Sequence, residues 1–107
     1  MRNFTKHSSA TLSLNESELL DLITKQEERT ESTIIRRAIE KIDLDNLYFF
    51  IDYSKKIDKE NLREHIVHFA LTKELSDKLK ALADTFNTNK SKIIGAALKL
   101  YYSKSNL

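Results

Sequence analysis

The chain has 107 residues, of which 40% are hydrophobic and 32% charged, and its formal net charge is +2. This content supports one modest core and is too apolar for a disordered chain. The absence of cysteine excludes disulfides, thiolate metal sites and cysteine nucleophiles. The longest apolar run, Leu47–Ile51, is far shorter than the ~20 residues of a membrane-spanning helix. We therefore expect a cytoplasmic protein without a membrane partner, and the lack of proline favours helices.

The first predicted segment, residues 1–42, reads as an arm followed by strand, helix, turn and helix. Ala10–Leu14 alternates small or apolar residues with polar ones, as a β-strand does. Asn15, with Glu18 three residues later, predicts the start of the first helix. Arg29–Ser32 interrupts the helical spacing of apolar residues, and a second apolar stripe follows. The basic arm contributes Arg2, Lys6 and His7.

Residues 43–62 are predicted to form a helical bridge, because they lack glycine and proline and space their leucines as a helix does. The bridge carries an aromatic cluster of Tyr48, Phe49 and Phe50. We favour packing of this cluster on the core, because large apolar side chains are usually buried. Self-association through the same three residues is the alternative.

The second predicted segment, residues 63–107, repeats the order of strand, helix, turn and helix. Ile66–Leu71 is β-branched and aromatic, and Thr72 after it is a helix N-cap candidate. Two apolar stripes with helical spacing follow, and either Asn89 or Ser91 caps the second helix. This segment holds eight basic and four acidic residues, an excess that makes a polyanionic partner plausible.

The two segments are an internal repeat, which is the strongest organisational signal in the sequence. Leu12 matches Phe69 at a separation of 57 positions, whereas Ser32 matches Ser91 at 59. The difference predicts a two-residue deletion in the turn between the first two helices. A strand followed by two helices cannot bury its own apolar strand face, so we expect the two repeats to pair within the chain as one compact domain.

Both repeats resemble the ribbon-helix-helix DNA-binding repressors over residues 9–42 and 65–102. The matching stretches are Thr11–Leu22 and Phe69–Leu79, each followed by the pattern Ser-x-Ile-Ile-x-x-Ala-Ile/Leu, at Ser32–Ile39 and Ser91–Leu98. The fusion of two repeats is similar to tandem regulators of some archaeal viruses. The resemblance implies a mostly α fold with a two-stranded antiparallel β-ribbon, arranged as a tandem pseudo-dimer. The first repeat departs from the family because its short turn lacks the usual glycine.

The resemblance implies that the chain binds double-stranded DNA as a transcriptional repressor. A two-stranded ribbon fits the major groove, where each base pair is distinguishable. Alternation along the strands predicts the base-reading residues Ser9, Thr11, Ser13, Ile66, His68 and Ala70. The starts of the second helices predict the phosphate-binding residues Thr30, Ser32, Asn89, Lys90, Ser91 and Lys92. The arm residues Arg2, Lys6 and His7 are expected to add backbone contacts.

The sequence also bears on functions other than transcriptional repression. We expect no enzyme and no cofactor, because the sequence has no phosphate-binding glycine loop, zinc-protease motif or nucleophile motif. We also expect no metal site, since His65 and His68 would point to opposite faces of a strand. Two alternatives stay open. One is an antitoxin that represses its own operon, and the other is a helical interaction module that does not bind DNA.

Overall fold

The structure, a computed structural model that describes residues 4–51 and 62–105, is mostly helical with one two-stranded antiparallel sheet. This confirms the mostly helical fold with a two-stranded antiparallel ribbon that the sequence predicts. In chain order the elements are β1 (Lys6–Leu12), α1 (Leu14–Glu27), α2 (Glu31–Glu40), α3 (Leu44–Leu47) continued by a 3₁₀ turn (Tyr48–Phe50), β2 (His65–Leu71), α4 (Lys73–Thr85) and α5 (Lys90–Ser105). Of the predicted bridge, residues 52–61 lie outside the described residues.

The two strands form a ribbon with one apolar and one exposed face. β1 and β2 pair antiparallel, and Ser9 lies opposite His68 at the middle of the register. Side chains alternate between the faces of a strand, so Ala10 and Leu12 join Val67, Phe69 and Leu71 of β2 in the core. Burial of this face holds the ribbon on the helices.

Side-chain caps determine where the helices begin. The N-cap of α1 is Ser13, whose Oγ accepts a hydrogen bond from the Glu16 N–H, while the Glu16 carboxylate accepts one from the Ser13 N–H. This reciprocal capping box satisfies two backbone donors. The predicted start at Asn15 is therefore wrong. Leu14, expected to face the core from a strand, is the first residue of α1 and is 44% exposed.

The starts of the strands and helices in the two halves, and the left-handed residues between the helices, correspond at a single separation of 59 positions. The pairs are the strand starts Lys6 and His65, the N-caps Ser13 and Thr72, the left-handed residues Glu28 and Asn87, and the second-helix starts Glu31 and Lys90. The predicted separation of 57 in the strands is wrong, and so is the predicted deletion in the first turn. Both errors come from one strand placed too late in the sequence.

Each second helix covers the strand of the other half. α2 packs on β2, α5 packs on β1, and the two helices contact each other in the centre of the core. Ile34 and Ile35 of α2 and Ile93 and Ile94 of α5 are almost completely buried there. The described part of the bridge packs on α5, which both α3 and the 3₁₀ turn contact. The core is therefore built jointly by both halves.

A polar link ties three helices together at the edge of this core. The Tyr101 hydroxyl of α5 donates to Glu27 Oε1 of α1 at 2.8 Å, and Arg37 of α2 lies 2.9 Å from the same oxygen. Burial, followed by the hydrogen bond to Glu27, raises the pKa of the Tyr101 hydroxyl. The neutral phenol is therefore the form that fits the folded protein.

Candidate nucleic-acid interface

The exposed side of the ribbon, here called the ribbon face, carries three side chains from each strand. These are His7, Ser9, Thr11, Ile66, His68 and Ala70. Four of them are exposed, and Thr11 and Ala70 are half-buried. Neither strand contains an acidic residue. The ribbon face therefore offers hydroxyl, imidazole and methyl groups without a carboxylate that would repel phosphate.

Five of the six residues predicted to read bases lie on this face, which confirms their outward direction. The exception is Ser13, which is buried and serves as the N-cap of α1, so its predicted exposure on the ribbon is wrong. His7, which the sequence assigned to the arm, is the sixth residue of the ribbon face, because β1 begins at Lys6. A signal for this existed in the sequence, since Ser13 and Glu16 have the spacing of a capping box.

Two serines of the second helices hold the ribbon backbone from the side. Ser91 Oγ accepts a hydrogen bond from the Thr11 N–H at 2.9 Å, and Ser32 Oγ accepts one from the Ala70 N–H at 3.1 Å. Each serine thus binds the strand of the other half. The sequence predicted phosphate contacts for both serines and a possible capping role for Ser91, and it did not indicate these contacts with the strands. Their hydroxyl protons remain potential donors, so phosphate contact stays a prediction.

Arg36, which the sequence analysis did not single out, lies beside one end of the ribbon. Its guanidinium donates to the Ala70 carbonyl at 3.1 Å and to Ser32 Oγ at 2.9 Å. The ring of Phe4 lies under it, 4.1 Å from the guanidinium carbon to the ring centroid. The guanidinium forms a cation–π contact there, so Arg36 is fixed in position while it keeps its charge.

Arg63 occupies the comparable place at the other end of the ribbon. It donates to the Thr11 carbonyl at 3.2 Å and pairs with the Glu16 carboxylate at 2.6 and 3.0 Å. The Glu16 side chain is only 2% exposed, and Lys99 lies 3.5 Å from its second oxygen. No sequence pattern predicts this cluster, because its members are up to 83 positions apart.

The starts of the two second helices differ in charge. Thr30 caps α2 by accepting from the Thr33 N–H, and Asn89 Oδ1 binds the Lys92 N–H at 2.9 Å in the first turn of α5. Lys90 is exposed and Lys92 half-buried at the start of α5, whereas α2 begins with the exposed Glu31. A phosphate would therefore be attracted more strongly to the start of α5.

The arm residues and the aromatic cluster are the remaining predicted contact residues. Arg2 lies outside the described residues, and Lys6 is exposed at the start of β1. In the aromatic cluster, Tyr48 is 59% and Phe49 77% exposed, while Phe50 packs partly against the core. The favoured core packing therefore holds for Phe50 and is wrong for the other two.

Within the described ranges, no three residues among His, Cys, Asp and Glu come together as a metal site would require, and no helix has the length and apolarity to cross a membrane. His68 projects from the ribbon face, while the half-buried His65 belongs to the opposite face. No family model matches the chain, and neither the curated proteins nor the solved structures include a significant match.

Proposed function

We propose that the chain is a ribbon-helix-helix pseudo-dimer that binds duplex DNA and represses transcription by occupying an operator. The observation that carries this proposal is the ribbon face, which lacks acidic groups and lies on a backbone held by Ser32 and Ser91. The joint core and the constant separation of 59 positions support the pseudo-dimer. A DNA-binding regulator of this kind acts in the cytoplasm, or in the host cytoplasm if its source is viral.

The ribbon face has the chemistry that major-groove recognition needs. A two-stranded ribbon fits the groove, and hydroxyl and imidazole groups bind the donors and acceptors of base edges. Ser9, Thr11 and His68 supply such groups, and Ala70 and Ile66 supply methyl groups suited to thymine. Fixing the strand backbone in advance lowers the entropy lost on binding.

Backbone contacts would come from the start of α5. Lys90 and Lys92 add two positive charges to the positive end of the dipole of a 16-residue helix. Glu31 opposes the same interaction at the start of α2. Phosphate contacts position a protein on DNA, and base contacts give it sequence preference, so the two sets of residues have separable roles.

Selection of bound duplexes from a random DNA pool tests the proposal. We expect an enriched motif of a few base pairs with the wild-type chain. The matched control is the double variant Ser9→Glu plus His68→Glu, which adds two carboxylates to the ribbon face without altering the core. This variant should keep the circular dichroism spectrum and lose DNA binding. Absence of an enriched motif with a folded wild-type chain would contradict the proposal.

A second candidate function rests on the exposed aromatic pair. Tyr48 and Phe49 contact each other edge to face with ring centroids 6.0 Å apart, and both are exposed. Adjacent exposed aromatic side chains are typical of protein–protein contacts. Self-association or binding of another protein there is compatible with DNA binding. The variant Tyr48→Ser plus Phe49→Ser would then reduce association in sedimentation analysis and leave DNA affinity unchanged.

A further inference from the structure

The buried carboxylate of Glu16 is enclosed mainly by residues from the other half of the chain. Arg63 forms two hydrogen bonds to it, and Lys99 lies 3.5 Å away. Gly95 of α5 lies so close that a Cβ at that position would collide with the carboxylate. Glu16 therefore lies against a glycine and two cations, and a side chain at position 95 would force its carboxylate to move away.

The equivalent place in the other half has different residues. At the separation of 59 positions, the four counterparts are Leu75 for Glu16, Arg36 for Gly95, Phe4 for Arg63 and Glu40 for Lys99. Each of these four differences alters charge or size. The four residues concerned, Glu16, Gly95, Arg63 and Lys99, lie together at one location. Leu75 is buried, and the Arg36 guanidinium lies over Phe4 in its own half. The two halves are thus unlike at the place where each meets its partner.

Pairing of the first half with a second copy of itself would bring the wrong residues to Glu16. Arg36 would replace Gly95, so a long side chain would enter space that the carboxylate fills. Glu40 would replace Lys99, placing one carboxylate where a cation now lies, and Phe4 would replace Arg63. Arg36 would approach from the glycine position and not from the place where Arg63 binds both carboxylate oxygens, so the bidentate geometry would be lost.

Pairing of two second halves would fail for a complementary reason. Leu75 would face Arg63 and Lys99, which would then lack their carboxylate. The Leu75 side chain would not extend as far as that of Glu16, so the space beside Gly95 would stay unfilled. Two partly exposed cations brought together without their carboxylate repel each other, and unfilled core volume also destabilises an interface.

We propose that Glu16, Gly95, Arg63 and Lys99 form a pairing-specificity site, through which the first half accepts a second half and rejects a copy of itself. The partner that fits the Glu16 surface is a Gly95-bearing second half, from the same chain or from an exchanged one. This inference rests on the pseudo-dimer part of the proposed function and is independent of DNA binding.

Exchange between two full-length variants tests this specificity. In Glu16→Lys, the first half carries a lysine that meets Arg63 of its own chain. In Arg63→Glu, the second half carries a glutamate that meets Glu16 of its own chain. Each variant is mismatched within itself, but an exchanged heterodimer contains one inverted charge pair and one native pair. Exchange of equivalent parts is a low-cost route to dimers.

We expect each variant alone to melt on the order of 10 °C or more below the wild type, because a buried charge pair is broken. Co-refolding the two variants without DNA should yield a 1:1 heterodimer by light scattering, with a melting temperature above that of either variant. The control is Glu16→Lys plus Arg63→Glu in one chain, which should be monomeric and melt above both single variants. It should stay below the wild type, because the lysine cannot accept from the Ser13 N–H and lies beside Lys99.

A mixture that keeps the masses and melting temperatures of its separate components would overturn the proposal. Unaltered melting of both single variants would overturn it too. Since every measurement is made without DNA, these outcomes are distinguishable from failure of the DNA-binding proposal, which the selection experiment reports.

Discussion

Ser91 Oγ accepts a hydrogen bond from the Thr11 backbone N–H at 2.9 Å, although the two residues are 80 positions apart. The contact joins the start of α5 to the strand of the other half, at a residue whose side chain lies on the ribbon face. The position of that side chain consequently depends on α5. The pair Ser32 and Ala70 repeats the arrangement at the other end.

Removing this hydroxyl should destabilise the protein. We expect Ser91→Ala to cost about 1–3 kcal/mol of unfolding free energy, because it leaves the Thr11 N–H without its acceptor. Urea titration followed by circular dichroism measures the change. Thr85→Ala, at an exposed position of α4, is the control and should cost less than ~0.5 kcal/mol. Equal stability of both variants would show that the contact contributes little.

The charge at the start of α5 should appear as salt dependence. We expect Lys90→Ala plus Lys92→Ala to weaken binding to all duplex sequences about equally and to lower the slope of log affinity against log salt by about 2. Fluorescence anisotropy over a salt series measures both. The control removes two exposed lysines from other helices, as Lys25→Ala plus Lys80→Ala, and should leave the slope nearly intact. An unchanged slope in the first variant would exclude the phosphate contacts.

Sequence preference should depend on the ribbon face. Thr11→Ala or His68→Ala is expected to relax discrimination by ~1–3 kcal/mol at one or two base pairs, the usual size of a base contact. Ser13→Ala is the contrasting variant. It should cost ~1 kcal/mol of stability by loss of the α1 cap and leave the selected motif as it is. Wild-type motifs from both ribbon variants would mean that other residues read the sequence.

The raised pKa of Tyr101 predicts a pH dependence at the alkaline end. A folded-state pKa above the ordinary ~10 gives stability that is complete below pH ~10 and is lost as pH rises through the raised value. Tyrosinate absorbance of the folded protein should therefore include an ionisation step above pH ~10 that belongs to Tyr101. Tyr101→Phe should remove this step, and the control Tyr48→Phe should retain it. A step that survives Tyr101→Phe would assign it to another group.

The order of elements and the outward direction of most ribbon residues follow from local patterns. Apolar periodicity identified four helices, and strand alternation placed Thr11 and His68 outward. The first strand was predicted too late in the sequence, because the alternation of Ala10 and Leu12 continues into Leu14, which belongs to α1. Periodicity alone cannot separate a strand residue from the first residue of a helix that follows it without a break.

The charged contacts behind the ribbon could not be predicted in the same way. Glu16 has the appearance of a solvent-exposed residue in the first turn of an amphipathic helix, yet it is buried against Arg63, 47 positions away. Its burial depends on the absence of a side chain at Gly95, which the sequence does not connect to it. Such a contact exists only after both halves have assembled.

The register that places Ser9 opposite His68 gives the ribbon a direction. These two residues are 59 positions apart and are therefore equivalent in the two halves. On either side of them, the ribbon face has one end with His7 and Ala70 and another end with Thr11 and Ile66. One end presents an imidazole beside a small methyl group, and the other a hydroxyl beside a bulky branched chain. If the ribbon face reads DNA as proposed, it would distinguish the two strands of its operator. Operators recognised by a single molecule would therefore be non-palindromic and would have an orientation relative to the gene they control.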